Sequence, residues 1–170
     1  AKYNRGKQSI HFPQTAIITA WASVAGKKEQ EGPLGREYDI TRQDNHFGQK
    51  TWEQAEQRMQ QLALETLAQK AGMRQENFSL VFSGDLLNQC IGSSFTLRNM
   101  KIPHLGLYGA CSTMAQSMCV GSMLVDGGYA HNVLAGTCSH YCTAERQFRY
   151  PLELGNQKPM TAQWTVTGAG

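Results

Sequence analysis

The stretch YGACSTMAQ, residues 108–116, decides how this chain is read. It joins an apolar run, IPHLGLY (102–108), to a segment from Cys111 to Asp126 with small and apolar residues on every side, ended by Gly127 and Gly128. A strand therefore runs into a helix, and Cys111 stands at the helix's first turn. A helix apolar all round is a buried helix. A thiol at its N-terminus faces the positive end of the helix dipole and backbone N–H groups without intrahelical partners, which favours the thiolate. A small residue chosen for tight packing at a strand-to-helix turn fits the same position, and both readings stay open.

Working outward, FSLVFSG (78–84) is a short continuous apolar run, as expected for a strand covered on both faces. HNVLAGT (131–137) and QWTVTGAG (163–170) predict further strands, and TAIITAW (15–21) predicts one near the start. The plainest helix follows Thr51, which can cap it while Gln54 reaches back. Trp52, Ala55, Met59, Leu62, Ala63 and Leu67 recur at helical spacing, its Gln- and Glu-rich side reads as polar surface, and Gly72 closes it. A second helix is expected over Gln89–Asn99, and GKKEQEGPLG (26–35) reads as a polar turn. Strands alternating with helices imply an α/β sheet of parallel type. Trp21, Trp52 and Trp164 are expected in the core.

The totals narrow the function. The chain has 170 residues, enough for one hydrophobic core. Its net charge of +3 comes without a basic run, so nucleic-acid binding gains no support and a small anionic ligand fits at least as well. Five cysteines are an odd number and too few for a disulfide scaffold, so reduced thiols are expected. No stretch approaches the roughly 18 to 20 apolar residues of a membrane span, which leaves peripheral association open. A strand running into a glycine turn at TVTGAG predicts that the chain is part of a longer protein.

A buried helix with a Cys at its first turn, just after a buried strand, resembles the centre of the thiolase-like fold. The resemblance implies one half of that fold: a five-stranded mixed sheet with helices on it and a buried central helix. Residues 1–170 would form the N-terminal half, with the second half absent. GPLGREYD (32–39), GDLLNQ (84–89), YGACST (108–113), LVDGGYA (124–130) and ERQFRYPLELGNQKP (145–159) together resemble the stage V sporulation protein AD family. That family implies a non-catalytic protein that binds dipicolinic acid, free or as its calcium chelate, for uptake into the forespore. It also implies peripheral association with the inner spore membrane, beside the other proteins of an uptake complex. The uncovered side of the central helix would drive self-association, so a homodimer is expected. No cofactor is expected.

Four residues are candidates for the ligand site. Cys111 occupies the position that carries the acyl group in condensing enzymes of this fold, whose partners, a His with an Asn or a second His, come from the second half. An acyltransferase using Cys111 is therefore the alternative function. Asp85 ends the 78–84 strand, and ligands gather at the carboxyl ends of strands in open α/β sheets. A carboxylate there departs from the small, hydroxyl-rich loop of condensing enzymes and disfavours a thiolate beside it. Capping the next helix is its competing role. His140 lies in CSHYC (138–142), where an extended chain would turn Cys138, His140 and Cys142 to one face. That spacing is not a standard zinc pattern, so no metal is expected, and His140 is assigned to the crevice or to the core. Arg146 offers a planar fork for a carboxylate of dipicolinate. Arg149 and Lys158 lie in the same stretch, which could instead form an interface with Glu145 and Glu153 in ion pairs.

Overall fold

Local signals set the longest helix. In the computed structural model, which describes residues 4–5, 7–88, 90–149, 161 and 165–170, helix α2 spans Trp52–Ala71. Thr51 is extended, and its hydroxyl accepts from the Gln54 N–H at 3.3 Å. At the other end Gly72 takes the left-handed conformation (φ 63°), and its N–H closes on carbonyls of the last turn. Ahead of α2 stand a two-stranded hairpin, β1 (Asn4–Arg5) and β2 (Ser9–Ile10), then β3 (Val24–Ala25), the one-turn α1 (Lys27–Gln30) and β4 (Ile40–Thr41).

After α2 come β5 (Leu80–Gly84), α3 (Ile91–Leu97), β6 (His104–Gly106), α4 (Thr113–Asp126), β7 (Val133–Ser139), α5 (Tyr141–Ala144) and β8 (Gly168–Ala169). The main sheet has the order β4-β3-β8-β7-β5-β6. β7, β5 and β6 are parallel, β8 is antiparallel to both β7 and β3, and β4 is parallel to β3. The expected mixed sheet is present, with six strands instead of five because the short β4 adds an edge.

Consecutive residues of β5 face opposite sides of the sheet. Val81 packs with Leu134 under Leu64 and Ala68 of α2 and Leu97 of α3. A second cluster joins Met59 and Ala63 of α2 to Val24, Cys138 and Ala169. Helices α2 and α3 thus cover one face. Phe82 and Val133 point the other way, toward Gly121 of α4.

Three expectations change. α4 is not buried all round: Thr113, Ser117 and Gly121 lie on the sheet, while Met118 and Met123 are 42% and 40% exposed, because no other described part of the chain covers its outer side. TAIITAW forms no strand, because no neighbour pairs with it, and Ile17, Ile18 and Trp21 stand exposed. Trp21 is therefore not in the core. It lies under the Lys70 ammonium, 5.4 Å from the ring centroid. Finally, Glu56 and Gln60, on the Gln- and Glu-rich side of α2, are buried. Gln89, Trp164, Glu153 and Lys158 lie outside the described residues, as does most of the 145–159 stretch.

Losing the Thr51 cap leaves an N–H of α2 unpaired. Thr51→Ala is expected to cost about 1 kcal/mol, measured by chemical denaturation, with no change in the folded baseline.

Candidate functional site at the carboxyl ends of the parallel strands

β5, β6 and β7 run in one direction, so Asp85, the 107–112 turn and His140 all follow the same end of the sheet. The turn that presents Cys111 is held from several sides. The Leu107 N–H bonds to the Ser83 carbonyl at 2.9 Å, extending the β5–β6 ladder by one residue. Tight packing follows. A Cβ on Gly84 would fall on the Leu107 carbonyl oxygen and within 2.7 Å of Thr113 Cγ2, so the end of β5 admits only glycine. The Thr113 hydroxyl donates to the Ala110 carbonyl (2.9 Å) and accepts from the Gly109 N–H (3.2 Å). Ser112 closes the turn from its own side chain to the Gly109 carbonyl at 2.7 Å.

Within that frame Ala110 has φ 48°, a left-handed value that an alanine adopts at a cost of order 1 kcal/mol. A short 3-10 turn, Ala110–Ser112, then leads into α4. The result is a strained elbow with an exposed Cys111 on it, ahead of the N-terminus of a 14-residue helix. Such a thiol is accessible to a ligand or an electrophile.

The other candidates are committed to the protein itself. Asp85 is 1% exposed; one carboxylate oxygen accepts from Leu87 N–H (2.9 Å) and the other from Ser93 N–H (2.7 Å). It caps α3, and its oxygens are directed into the protein. His140 is also 1% exposed. Its Nδ1 accepts from the Cys142 N–H (3.1 Å), which puts the ring proton on Nε2, 2.8 Å from the Asn45 carbonyl. Burial lowers its pKa, so the ring is neutral, and Trp52 packs beside it with ring centroids 5.2 Å apart. Arg146, on a π-helical turn after α5, forms an ion pair with Glu53 in the first turn of α2. Its side chain stays 42% exposed.

Cys138, His140 and Cys142 do not converge. The Cys138 thiol lies 3.6 Å from Glu56 Oε1, while Cys142 follows His140 into α5. Among the described residues no three His, Cys, Asp or Glu side chains are grouped to hold a metal ion.

Beneath this end of the sheet lies a polar network that sequence reasoning missed. Gln60 Nε2 donates to the hydroxyls of Ser83 and Ser93, which are 3.2 Å apart. Glu56, four residues earlier, is fully buried beside Thr143 and Cys138. Burial pushes its pKa up to about 7, and the Asp85 charge adds to the shift. Thr143 Oγ1 is 2.8 Å from Glu56 Oε2 and 2.9 Å from the His140 carbonyl. One hydroxyl proton cannot serve both oxygens, and a protonated Glu56 supplies the second. The i, i+4 spacing of Glu56 and Gln60, beside Met59 and Ala63, was the available signal.

An exposed thiol on a strand-to-helix elbow, at the carboxyl end of a mixed sheet with helices on both faces, is the arrangement of the thiolase-like fold. The crystal structure of 3-oxoacyl-[acyl-carrier-protein] synthase III from Aquifex aeolicus VF5 shares this fold, with a TM-score of 0.51 and 15% identity over 71% of this chain and 37% of that one. The family model for stage V sporulation protein AD matches residues 6–170, and the chain belongs to that family. It is 46% identical over 165 residues to stage V sporulation protein AD of Bacillus subtilis (strain 168). The match covers 97% of this chain and 49% of that protein, so the chain spans about half the length of its curated relative.

A carboxyl whose pKa is higher in the folded state favours folding while protonated. The Glu56 contribution is full below its ordinary value of 4.5 and is lost as pH rises through about 7. Glu56→Gln keeps the uncharged shape. Its stability relative to the parent is expected to rise between pH 5 and pH 8 by about 2.5 kcal/mol, followed by denaturation midpoints across that range.

Proposed function

We propose that the elbow at Cys111 lines a pocket for dipicolinic acid, taken up as the free dianion or as its calcium chelate, in a protein that binds without catalysing. Membership of the stage V sporulation protein AD family carries this reading, through the ligand that the family resemblance implies. The geometry supports binding over acyl transfer. Acyl transfer needs a base within hydrogen-bond reach of the nucleophile. Both His140 nitrogens and both Asp85 oxygens are bonded to backbone groups of this chain. Asp85 and His140 then act as braces of the rim, while Cys111 and the exposed part of Arg146 are the groups available to a ligand. Forespore uptake at the inner spore membrane, with membrane-bound partner proteins, belongs to the same proposal. No helix among the described residues is long and apolar enough to cross a membrane.

The exposed Cys111 thiol favours one rival, an acyltransferase completed by a base from the other half of the protein. Calorimetric titration of dipicolinate into the full-length protein, with and without calcium, separates the two. Saturable binding is expected, weakened about tenfold by Cys111→Ala without a change in melting temperature, because the thiol is exposed and packs little. Unchanged affinity would move the ligand elsewhere. No measurable heat at several temperatures, together with an acyl adduct on Cys111 in intact-mass spectra, would favour the enzyme.

A further inference from the structure

Both ends of the Glu53–Arg146 ion pair stand on fixed backbone. Glu53 lies in the first turn of α2, just after the Thr51 cap, where the helix dipole favours a carboxylate. Arg146 lies on the π-helical turn Glu145–Arg149, which is pinned on two sides. Before it, Thr143 bonds to Glu56 in the core. Beside Arg146, the Gln147 side-chain carbonyl accepts from the Asn88 N–H at 3.0 Å. Asn88 belongs to the 85–90 loop, which also holds the elbow: the Cys90 thiol donates to the Leu107 carbonyl at 3.4 Å. The ion pair and Cys111 therefore flank one loop.

The side chains, unlike their backbones, can exchange partners. Both reach solvent, and an ion pair in contact with water contributes little to stability, so a ligand carboxylate replaces Glu53 on Arg146 at small cost. Glu56, Asp85 and Glu145 do not offer the same exchange. All three are buried, with Glu56 held by Thr143, Asp85 by the Leu87 and Ser93 N–H groups, and Glu145 by the Thr165 hydroxyl. The two forms of dipicolinate meet the exposed pair differently. The guanidinium fork suits a carboxylate of either form. The free dianion, once seated, has the displaced Glu53 carboxylate beside its own two, and like charges repel. In the chelate, the ring nitrogen and two carboxylates fill only about half of the six to eight positions that calcium takes, and the rest accept oxygen donors. A displaced Glu53 then has a cation to turn to.

We propose that Glu53 is a specificity-determining residue that sets the balance between the two forms of the ligand. Its carboxylate opposes the free dianion, with which it competes for Arg146, and favours the calcium chelate, to whose cation it donates an oxygen. The proposal rests on the reading that Arg146 faces dipicolinate. Removing the Glu53 charge therefore acts in opposite directions on the two forms, which a general loss of structure at the first turn of α2 does not do.

The test is calorimetric titration of the full-length protein with dipicolinate, once with calcium removed by a chelator and once with the preformed calcium chelate. Glu53→Gln is expected to bind the free dianion about threefold more tightly and the chelate about threefold more weakly, a change of about tenfold in their ratio. Glu65→Gln is the control. It removes the same charge twelve residues along α2, about 18 Å away and beyond the screening length, and is expected to leave the ratio unchanged. Terbium in place of calcium gives a spectroscopic reading, because its dipicolinate-sensitised luminescence decays more slowly as coordinated water is lost. The bound terbium chelate is expected to hold about one water fewer on the parent than on Glu53→Gln. A ratio that moves by less than about twofold, an equal change in Glu65→Gln, or equal luminescence lifetimes would overturn the proposal and leave the ligand reading standing. Heat from neither form with the parent would overturn both.

Discussion

The close approach of Gly84 to the Leu107 carbonyl and Thr113 is the contact on which this end of the molecule depends. It lets β5 run flush against the turn after β6, so the turn can bend back into α4 over the sheet. Thr113 is then buried, bonded within the turn and packed on β5, and α4 follows with Ser117 and Gly121 on the same stripe. Small residues at each of those points bring helix and sheet together, and the elbow is left carrying Cys111 outward. Any side chain at Gly84 would move the turn, the helix and the thiol together.

On the opposite face polar groups do a comparable job. Gln60 binds Ser83 and Ser93, Asp85 caps α3, and Glu56 joins Thr143 and Cys138. These residues tie α2, α3, α5 and the ends of β5 and β7 into one unit. Because Glu56 is buried among them with its pKa pushed up to about 7, the stability of that unit is coupled to pH near neutrality. The exposed groups at this end of the sheet and their buried support are thus separate sets of residues: Cys111 and Arg146 reach outward, and Asp85 and His140 hold the frame.

Much of this was legible in the sequence. The cap at Thr51, the left-handed stop at Gly72 and the apolar run ending at Gly84 are local signals, and the structure follows them. The family strings and the Cys at a strand-to-helix turn identified the fold. What the sequence hid depends on tertiary partners. Nothing local distinguishes a Glu at position 56 facing solvent from one beneath Thr143. Asp85 and His140 follow strand ends, as ligand-binding groups do, yet backbone groups take up their polar atoms: the N–H groups of Leu87 and Ser93 for Asp85, and the Cys142 N–H and the Asn45 carbonyl for His140. TAIITAW has strand composition, but a strand also needs a neighbour, and none of the described residues provides one.

The most direct test of the central contact is the denaturation free energy of Gly84→Ala in the full-length protein, with the Thr51→Ala variant as a reference for an ordinary surface loss. The account predicts a loss of about 3 kcal/mol or more, because the methyl group has no space between Leu107 and Thr113. A change within about 0.5 kcal/mol would mean that the elbow does not rest on β5 as described, and the placement of Cys111 would fall with it.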